Sequence, residues 1–424
     1  MDVTVNAAVR YQTMKGWEAV TQAGQDLQGY AGWRDQVLDL AVNDLGVDRL
    51  RLAVRSGVEN PHDYYEDLRA GRRSSIRCER WQSVNDNANP SVINPAGFHF
   101  SEIDSQVVNL VLPMRQRLQA RGERLYLNLI HGAFIEQCDQ PIPYFHDQPA
   151  EYAELILATF LHLRDNYQLI PDALEIILEP DNGSRWTGAK IGHAIVAVAA
   201  RLSAAGFHPD LIAPSTMSMA AAITYFDGLA QVPGAAALLD QLSYHRYAGV
   251  SAANLAALAQ RAATYGVRTA MLEHIESDVE DLYQDLTVGM ASAWQQFALA
   301  FPTNDNGAQY YVINNGQPVL GSRTRALRQY FRYVRFGAVR IGATSTLSEV
   351  RPVAFRNANG RMVVVLHLAG ARTVRVGGLD PGTYGVSITT GSVTGQELGD
   401  RAVGADGVVS LMAPAAGVLT LYRK

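Results

Sequence analysis

Apolar residues recur along the first 300 or so residues in two alternating patterns. Short apolar runs, typical of buried β-strands, are separated by stretches in which apolar residues fall three or four positions apart, the spacing of one face of an α-helix. This alternation predicts parallel strands joined by crossover helices. Strands are predicted at residues 16–20, 48–55, 124–131, 173–179, 211–215, 241–247, 269–274 and 294–300. Helices are predicted at residues 33–44, 103–120, 150–167, 189–205, 220–229, 252–265 and 279–291. Eight strand units predict a closed (β/α)8 TIM barrel.

The pattern changes after Arg335 to short Val- and Thr-rich segments between Gly, Asn and Asp turns. The runs on either side of Asn359-Gly360 predict a β-hairpin, and further strands are predicted at residues 383–388, 408–412 and 418–422. Residues 3–9 have a strand-like composition. We therefore predict an α/β fold with the barrel at 12–340 and an antiparallel β-sandwich domain at 1–11 and 341–424. Because no Pro/Ser-rich linker joins the two, we expect the sandwich to pack on the barrel.

The composition narrows the class of substrate. The chain has 424 residues, 48% of them hydrophobic, a net charge of −5 and an isoelectric point near 6.1. Nucleic-acid binders concentrate Lys and Arg, so we expect no nucleic-acid partner. No apolar run reaches the roughly 18 to 20 residues that cross a bilayer, and the N-terminus lacks the regions of a signal peptide. We therefore expect no membrane partner, and either a cytoplasmic protein or a secreted one without its leader.

Two further features leave alternatives open. Cys78 and Cys138 either pair or remain free thiols, because two cysteines define neither a disulfide scaffold nor a metal site. The segment at residues 56–100 is too long for an ordinary connection between strand and helix, and it contains several aromatic residues and the polar run Asn85-Asp-Asn-Ala-Asn89. It follows the second strand at the end where barrels bind substrate. It either shapes the substrate cleft or forms a surface insertion with its own small core.

Carboxylates end two of the predicted barrel strands. Glu179 ends the fourth strand and Glu273 ends the seventh. Catalytic side chains of such barrels lie at the carboxyl ends of strands, so the two glutamates are predicted to share one pocket. Paired carboxylates are the groups that hydrolyse glycosidic bonds. In the retaining form of this reaction one carboxylate attacks the sugar, while the other carboxyl group protonates the departing oxygen.

Polar residues on neighbouring strands supply partners for this pair. Arg51, in the run Arg49-Leu-Arg-Leu52, is predicted to point into the barrel and to hold a nearby carboxylate ionised. His245 and Tyr247 end the sixth strand, next to the strand that carries Glu273. Three other acids compete less well for a catalytic role. They are Glu175 in the middle of its strand, Glu276 beyond the seventh strand, and Glu18, which we expect to bind substrate if it reaches it.

These residues resemble those of the retaining glycoside hydrolases of clan A, which place catalytic glutamates after strands four and seven of a barrel. Within the clan, the chain most resembles glycoside hydrolase family 30, whose sandwich combines the C-terminal region with the extreme N-terminus. Residues 14–19, Met-Lys-Gly-Trp-Glu-Ala, are similar to the opening strand of that family. Residues 330–340 are similar to its segment between barrel and sandwich.

The resemblance implies a role for each residue of the site. It implies that Glu179 is the acid/base and Glu273 the nucleophile, with Arg51 as the arginine of strand two and Tyr247 or His245 as the partner from strand six. It further implies that Trp294 forms a floor under the sugar. The clan usually carries Asn before the acid/base, where it contacts the sugar 2-hydroxyl, and this chain has Leu178. The candidates to replace that contact are His131, at the end of the third strand, and Asn182.

The sequence thus predicts a retaining hydrolase of β-linked oligo- or polysaccharides that needs no cofactor and no metal. Motifs for dinucleotides, phosphates, catalytic zinc or a serine nucleophile are absent. The alternatives are a carbohydrate-binding protein without activity, which the loss of the Asn favours, and a transglycosylase. The sugar, the choice between endo and exo action, and the oligomeric state are left open.

Overall fold

The computed structural model of the protein describes residues 1–424. Its first sheet contains a closed barrel of eight parallel strands, as predicted. In chain order, and numbered one to eight below, they are Trp17–Val20, Arg49–Arg55, Tyr126–Gly132, Ala173–Glu175, Asp210–Ser218, Gln241–Ala248, Arg268–Glu273 and Ala291–Phe301. Strand eight pairs with both strand seven and strand one, which closes the barrel.

Helices surround the barrel and cover its outer face. The longer ones are Arg34–Leu40, Leu112–Ala120, Pro149–Tyr167, Gly188–Ala204, Met219–Ala230, Ala252–Tyr265, Val279–Thr287 and Thr324–Phe331. Shorter helices are Tyr64–Arg69, Ser101–Gln106 and Ala235–Leu238, and π-helical turns lie at Ala41–Leu45 and Val107–Val111. No helix combines the length and the apolar character that crossing a membrane requires.

Alternation along each strand separates the outer core from the barrel interior. In strand two, Leu50, Leu52 and Val54 join the large apolar core beneath the helices, whereas Arg49 and Arg51 point inward. Successive side chains of a strand point to opposite faces, so the two sets cannot mix. The base of the interior is apolar, with a layer formed by Tyr126, Ala173, Ile212, Ala270, Leu272 and Ala293. Charged groups lie above that layer, towards the carboxyl ends of the strands.

The second sheet is antiparallel for most of its length and includes the N-terminal strand. Val3–Thr13 pairs with Val339–Ser345 in antiparallel fashion and with Arg372–Gly377 in parallel. The remaining strands are Val350–Arg356, Met362–Leu368, Gly382–Thr390, Gln396–Glu397, Arg401–Val403, Val409–Ala413 and Gly417–Arg423. The predicted hairpin at Asn359-Gly360 is confirmed, with Gly360 at a φ of 81°, a left-handed conformation that glycine adopts without strain.

The sandwich shares buried contacts with the barrel, through the helix Thr324–Phe331. The Gln329 side-chain amide donates to Thr389 Oγ1 (2.9 Å). The backbone carbonyl of Gln329 accepts from Thr420 Oγ1 (2.8 Å). Tyr330 Oη lies 2.8 Å from His367 Nε2. Apolar side chains of the sandwich, including Val363 and Val365, belong to the same core as the barrel helices.

Three local predictions differ from the structure. The helix predicted at 279–291 ends at Thr287, because strand eight already begins at Ala291, where it pairs with Thr269 of strand seven. Regular pairing of strand four ends at Glu175, four residues before Glu179. A hairpin, Gln309–Asn314 and Gln317–Leu320, extends the barrel sheet beside strand eight and was not predicted.

Candidate active site

Glu179 sits where the chain turns away from strand four. The Leu178 N–H donates to the His131 carbonyl on strand three, and the Glu179 N–H donates to the Ser215 carbonyl on strand five, each at 2.9 Å. Glu179 itself has a φ of 47°, and Pro180 begins a short 3-10 turn behind it. A left-handed conformation is uncommon for glutamate and clusters at functional sites. The turn directs the carboxyl group across the barrel mouth.

Glu273 ends strand seven and faces Glu179. It is paired in register with His245 of strand six. Carboxylate oxygens of Glu179 and Glu273 and a ring nitrogen of His245 all lie within 4.8 Å of one another. The side chains of the two glutamates retain only 10% and 9% of their exposure. The structure therefore brings together the two acids that the sequence singled out.

Glu273 is held by one charged and one neutral donor. Arg51 Nη1 donates to its Oε2 at 2.6 Å, and the Tyr247 hydroxyl donates to its Oε1 at 3.0 Å. Burial and the charge of Glu273 raise the pKa of Tyr247, so its hydroxyl keeps its proton and remains a donor. Both oxygens of Glu273 thus accept hydrogen bonds, and one bond comes from a permanent cation.

Arg51 in turn belongs to a buried network that rises from the barrel interior. Its Nε and Nη2 donate to Glu175 at 2.9 and 2.6 Å, and Asn128 Nδ2 donates to Glu175 at 2.9 Å. Burial acts to raise the pKa of Glu175, but the charge and hydrogen bonds of Arg51 outweigh it and bring the pKa below its ordinary value. Glu175 is therefore an anion that positions Arg51. Glu18 is fully buried in an ion pair with Arg49, so it does not reach substrate.

Glu179 has a different set of partners. His245 Nδ1 lies 3.0 Å from its Oε1, and Asn182 Nδ2 donates to its Oε2 at 2.6 Å. Neither partner is a permanent cation, and His245 is fully buried on strand six. The imidazole accepts from a protonated carboxyl group or donates to a carboxylate, according to its tautomer. Of the two residues expected to replace the missing Asn, Asn182 is the one beside Glu179.

Two of the predicted substrate contacts lie elsewhere. Trp294 is fully buried, packs edge-to-face against Phe331 and donates its indole N–H to Asp285 at 2.8 Å. It points outward from strand eight into the helical layer, so it forms no floor for a sugar. His131 is also fully buried, and its Nε2 lies 3.0 Å from Ser56 Oγ. Its ring points outward from strand three, so its predicted contact with substrate is wrong as well.

Arg55 at the end of strand two is a candidate that the prediction missed. Its guanidinium lies 5.1 Å from the centre of the Trp81 ring, and its Nε and Nη1 have no hydrogen-bond partner. It lines a cavity together with Tyr65 and Glu102, and burial lowers its pKa to about 10. Arg55 shares the inward face of strand two with Arg51. The alternation that identified Arg51 would have identified Arg55 too.

The loops around the mouth are tied to one another. Cys78, in the long segment after strand two, forms a disulfide with Cys138, in the loop after strand three. This settles the alternative left open by the sequence. A pocket beside Glu179 is lined by the loop after strand three, including Phe134 and Glu136, and by Trp186. The long segment therefore borders the candidate site and also has a small core of its own around Tyr64 and Tyr65.

The two glutamates and His245 are spaced closely enough to surround a cation. The guanidinium of Arg51, 2.6 Å from Glu273, already neutralises that carboxylate and repels a second positive charge. The residues therefore suit acid–base and nucleophilic chemistry better than metal binding.

One family model matches the chain. It describes the glycosyl hydrolase family 30 beta sandwich domain and matches residues 337–394, which include the strands Val350–Arg356 and Met362–Leu368. No curated protein sequence matches the chain.

Solved structures match over the whole length of the chain. The catalytic domain of a family 30 xylanase C from Talaromyces cellulolyticus is 17% identical, with a TM-score of 0.72 over 100% of this chain and 99% of that one. A family 30 endoxylanase from Clostridium papyrosolvens C71 is 19% identical, with a TM-score of 0.70 over 100% of both chains. A monomeric β-xylosidase from Caulobacter crescentus CB15 is 13% identical, with a TM-score of 0.58 over 99% of this chain and 98% of that one. The chain has the fold of these proteins over its whole length.

Proposed function

We propose that this protein is a retaining β-glycoside hydrolase in which Glu273 is the nucleophile and Glu179 the acid/base. The observation that carries the proposal is the difference between the partners of the two glutamates. Glu273 accepts from the permanent cation Arg51, whereas Glu179 contacts only Asn182 and an imidazole. A nucleophile must be ionised and an acid must hold a proton, so the two environments suit the two roles.

The separation of the carboxylates supports retention. One carboxylate oxygen of Glu179 lies within 4.8 Å of one carboxylate oxygen of Glu273. Retaining enzymes hold the two groups about 5 to 5.5 Å apart, whereas inverting enzymes need about 6.5 to 9.5 Å to admit a water molecule. A gap this small leaves no room for a water between Glu273 and the sugar. Direct attack by the carboxylate is the reaction that fits.

In the first step, Glu273 attacks the anomeric carbon while Glu179 gives its proton to the glycosidic oxygen, which leaves as an alcohol. A covalent glycosyl-enzyme forms at Glu273. In the second step, Glu179 is a carboxylate and removes a proton from water, whose oxygen attacks the same carbon and releases Glu273. The bonds from Arg51 and Tyr247 stabilise the charge that returns to Glu273. Two inversions at one carbon retain the configuration.

Substrates of this chain are proposed to be β-linked oligo- or polysaccharides. The similar structures include xylanases and a β-xylosidase, so xylosides are the first substrates to test. The substrate panel comprises aryl β-glycosides and β-linked oligosaccharides of several sugars, with product lengths recorded. Short products from the chain interior indicate endo action, and single sugars released from one end indicate exo action.

The test compares Glu273→Gln with the matched control Glu276→Gln. Glu276 lies three residues after Glu273, and its side chain is exposed. Wild type is expected to hydrolyse at least one β-linked substrate of the panel. Loss of the nucleophile lowers kcat/KM by about 10³-fold or more, because no covalent intermediate forms. The Glu276 variant keeps wild-type activity. Equal activity in wild type and Glu273→Gln would overturn the assignment.

A carbohydrate-binding protein without turnover is the second candidate. Leu178 favours it, since an apolar side chain before Glu179 supplies no hydrogen bond to a sugar hydroxyl. This candidate predicts that calorimetry detects binding of an oligosaccharide that the protein leaves intact. It also predicts equal affinity in wild type and Glu273→Gln.

A further inference from the structure

Acidic side chains converge where the long segment at residues 56–100 packs on the helix Pro149–Tyr167. Carboxylate oxygens of Glu59, Asp86 and Glu154 all lie within 4.8 Å of one another. Glu151 lies one turn before Glu154, on the same side of the helix. The cluster shares no residue with the group formed by Glu179, Glu273 and His245.

Glu154 is the member that the fold leaves unsatisfied. Its side chain is fully buried, and neither carboxylate oxygen has a hydrogen-bond partner. The nearest cationic group, Arg201 Nη2, is 3.8 Å from its Oε1, which exceeds hydrogen-bond length, and Arg201 Nη1 donates to the Pro90 carbonyl instead. Oε2 of Glu151 is also buried without a partner. Buried carboxylates require a compensating charge or donor.

The other acids of the cluster have partners but retain free lone pairs. Glu59 accepts from His146 Nε2 and from the Asp86 N–H at 2.9 Å. Asp86 accepts from Asn87 Nδ2 at 2.9 Å and from the Asn94 N–H. Each carboxylate has about four acceptor sites, so these bonds leave room for a further ligand. Four carboxylates face Arg201 and His146, which leaves the cluster short of positive charge.

We propose that Glu59, Asp86 and Glu154 bind one Ca²⁺ ion, with the carboxylate of Glu151 beside them adding negative charge. Ligand oxygens lie about 2.3 to 2.6 Å from calcium, so two ligands on opposite sides of one ion are about 5 Å apart. The oxygens of Glu59, Asp86 and Glu154 lie within 4.8 Å of one another, which is compatible with that requirement. A set made only of carboxylate oxygens selects a hard cation over zinc or copper. The irregular arrangement and the negative charge suit calcium better than magnesium, which demands an octahedron and retains its waters.

The ion would fasten the long segment to the barrel. Asp86 lies in the polar run at residues 85–89, none of which has a role in the proposed catalysis. Glu59 lies near the start of the long segment. The same segment carries Trp81, the partner of Arg55 at the mouth. Calcium would therefore hold in place a wall of the candidate cleft. The inference rests on the cluster alone and is independent of the proposed hydrolase activity.

The test titrates chelator-stripped protein with CaCl₂ in a calorimeter and repeats the titration with MgCl₂. Wild type is expected to bind one Ca²⁺, and its melting temperature should rise by about 2 °C or more in saturating Ca²⁺. Glu154→Gln keeps the shape of the side chain but removes its charge. It should weaken Ca²⁺ binding by more than about tenfold. The control Glu66→Gln, an exposed acid of the same segment, should bind as wild type does.

Several results would overturn the proposal. These are the absence of saturable Ca²⁺ binding to wild type, unchanged affinity in Glu154→Gln, or equal loss in the Glu66 control. Magnesium binding as tight as calcium binding would overturn the choice of ion. If Glu154→Gln does not fold, Glu151→Gln replaces it, and its expected loss is again more than about tenfold.

Discussion

At the scale of single residues, the three glutamates of the site differ in chemistry because different groups donate hydrogen bonds to them. Glu175, Glu179 and Glu273 lie close together near the carboxyl end of the barrel, yet only Glu179 lacks a bond from Arg51. Glu175 accepts from Nε and Nη2 of Arg51 and so positions that side chain. Glu273 accepts from the third nitrogen of the guanidinium, Nη1. The bidentate geometry of arginine permits this division, which a lysine would not reproduce.

Trp294 is expected to contribute to stability and not to catalysis. Its ring is fully buried, and its indole N–H donates to Asp285. Trp294→Ala should therefore lower the free energy of unfolding by about 3–5 kcal/mol, the usual cost of deleting a large buried ring. Urea denaturation measures this loss. The kcat/KM of the folded fraction should stay at the wild-type value.

Trp294→Phe is the matched control, because it retains an aromatic ring while it removes the indole donor and part of the ring volume. Its loss should be smaller, about 1–3 kcal/mol, from the unsatisfied Asp285. A variant with unchanged stability and a strongly reduced kcat would contradict this account and restore Trp294 to the sugar site.

At the scale of elements, the sequence pattern predicted the barrel and the strand ends that carry Glu179 and Glu273. Both follow from local rules, because alternating strands and helices form parallel sheets and their carboxyl ends meet at one edge. The antiparallel sandwich was predictable from its turns. The long segment was recognised as a feature of the mouth, but its contacts depend on partners far away in the chain.

The apolar pattern of the sequence could not predict which side chains of a strand point into the barrel. Alternation assigns residues to two faces without saying which face points inward. On strand three, Asn128 points inward to Glu175, so His131, an odd number of positions later, points outward. On strand eight, the inward position belongs to Gln295, which donates to the Leu272 carbonyl, and Trp294 faces the helices. These choices depend on the register between strands.

The disulfide between Cys78 and Cys138 is expected to stabilise the loops of the mouth. Its cysteines are 60 positions apart in sequence, so the bond restricts the unfolded chain substantially. Replacing both by Ser should cost about 2–4 kcal/mol, measured by urea denaturation under non-reducing conditions. Wild type in reducing buffer is the matched control and should lose a similar amount. Two thiols reactive in the native, unreduced protein would contradict the pairing.

At the scale of the whole molecule, barrel and sandwich form a continuous packed unit. His367 of the sandwich is buried against the helix Thr324–Phe331, with Tyr330 as its hydrogen-bond partner and the ring of Tyr283 5.0 Å away. Burial and, to a smaller extent, the charge of Arg351 lower the pKa of His367 to about 4, although the charge of Glu280 opposes the shift. This histidine is therefore neutral in the folded protein at pH values where it is charged in the unfolded chain.

Stability of the interface is expected to fall on acidification. The ordinary histidine pKa of 6.5 governs the unfolded chain, so the contribution of His367 is complete above about pH 6.5 and is lost as the pH falls towards 4. The shift corresponds to about 3 kcal/mol. His367→Gln should show a shallower decline in unfolding free energy than wild type between about pH 6.5 and 4.5. Parallel declines in the two proteins would contradict the assignment.

Azide rescue tests the roles of the two glutamates most directly. Glu179→Ala is assayed with added azide on an aryl β-glycoside that the wild type cleaves, since a phenolate departs without protonation. The account predicts restored activity and a β-glycosyl azide, because azide attacks the covalent intermediate at Glu273. Glu273→Ala should yield only the inverted α-azide, if it reacts at all. The opposite pattern would exchange the two roles, and wild-type activity of both variants on the natural substrate would contradict the site.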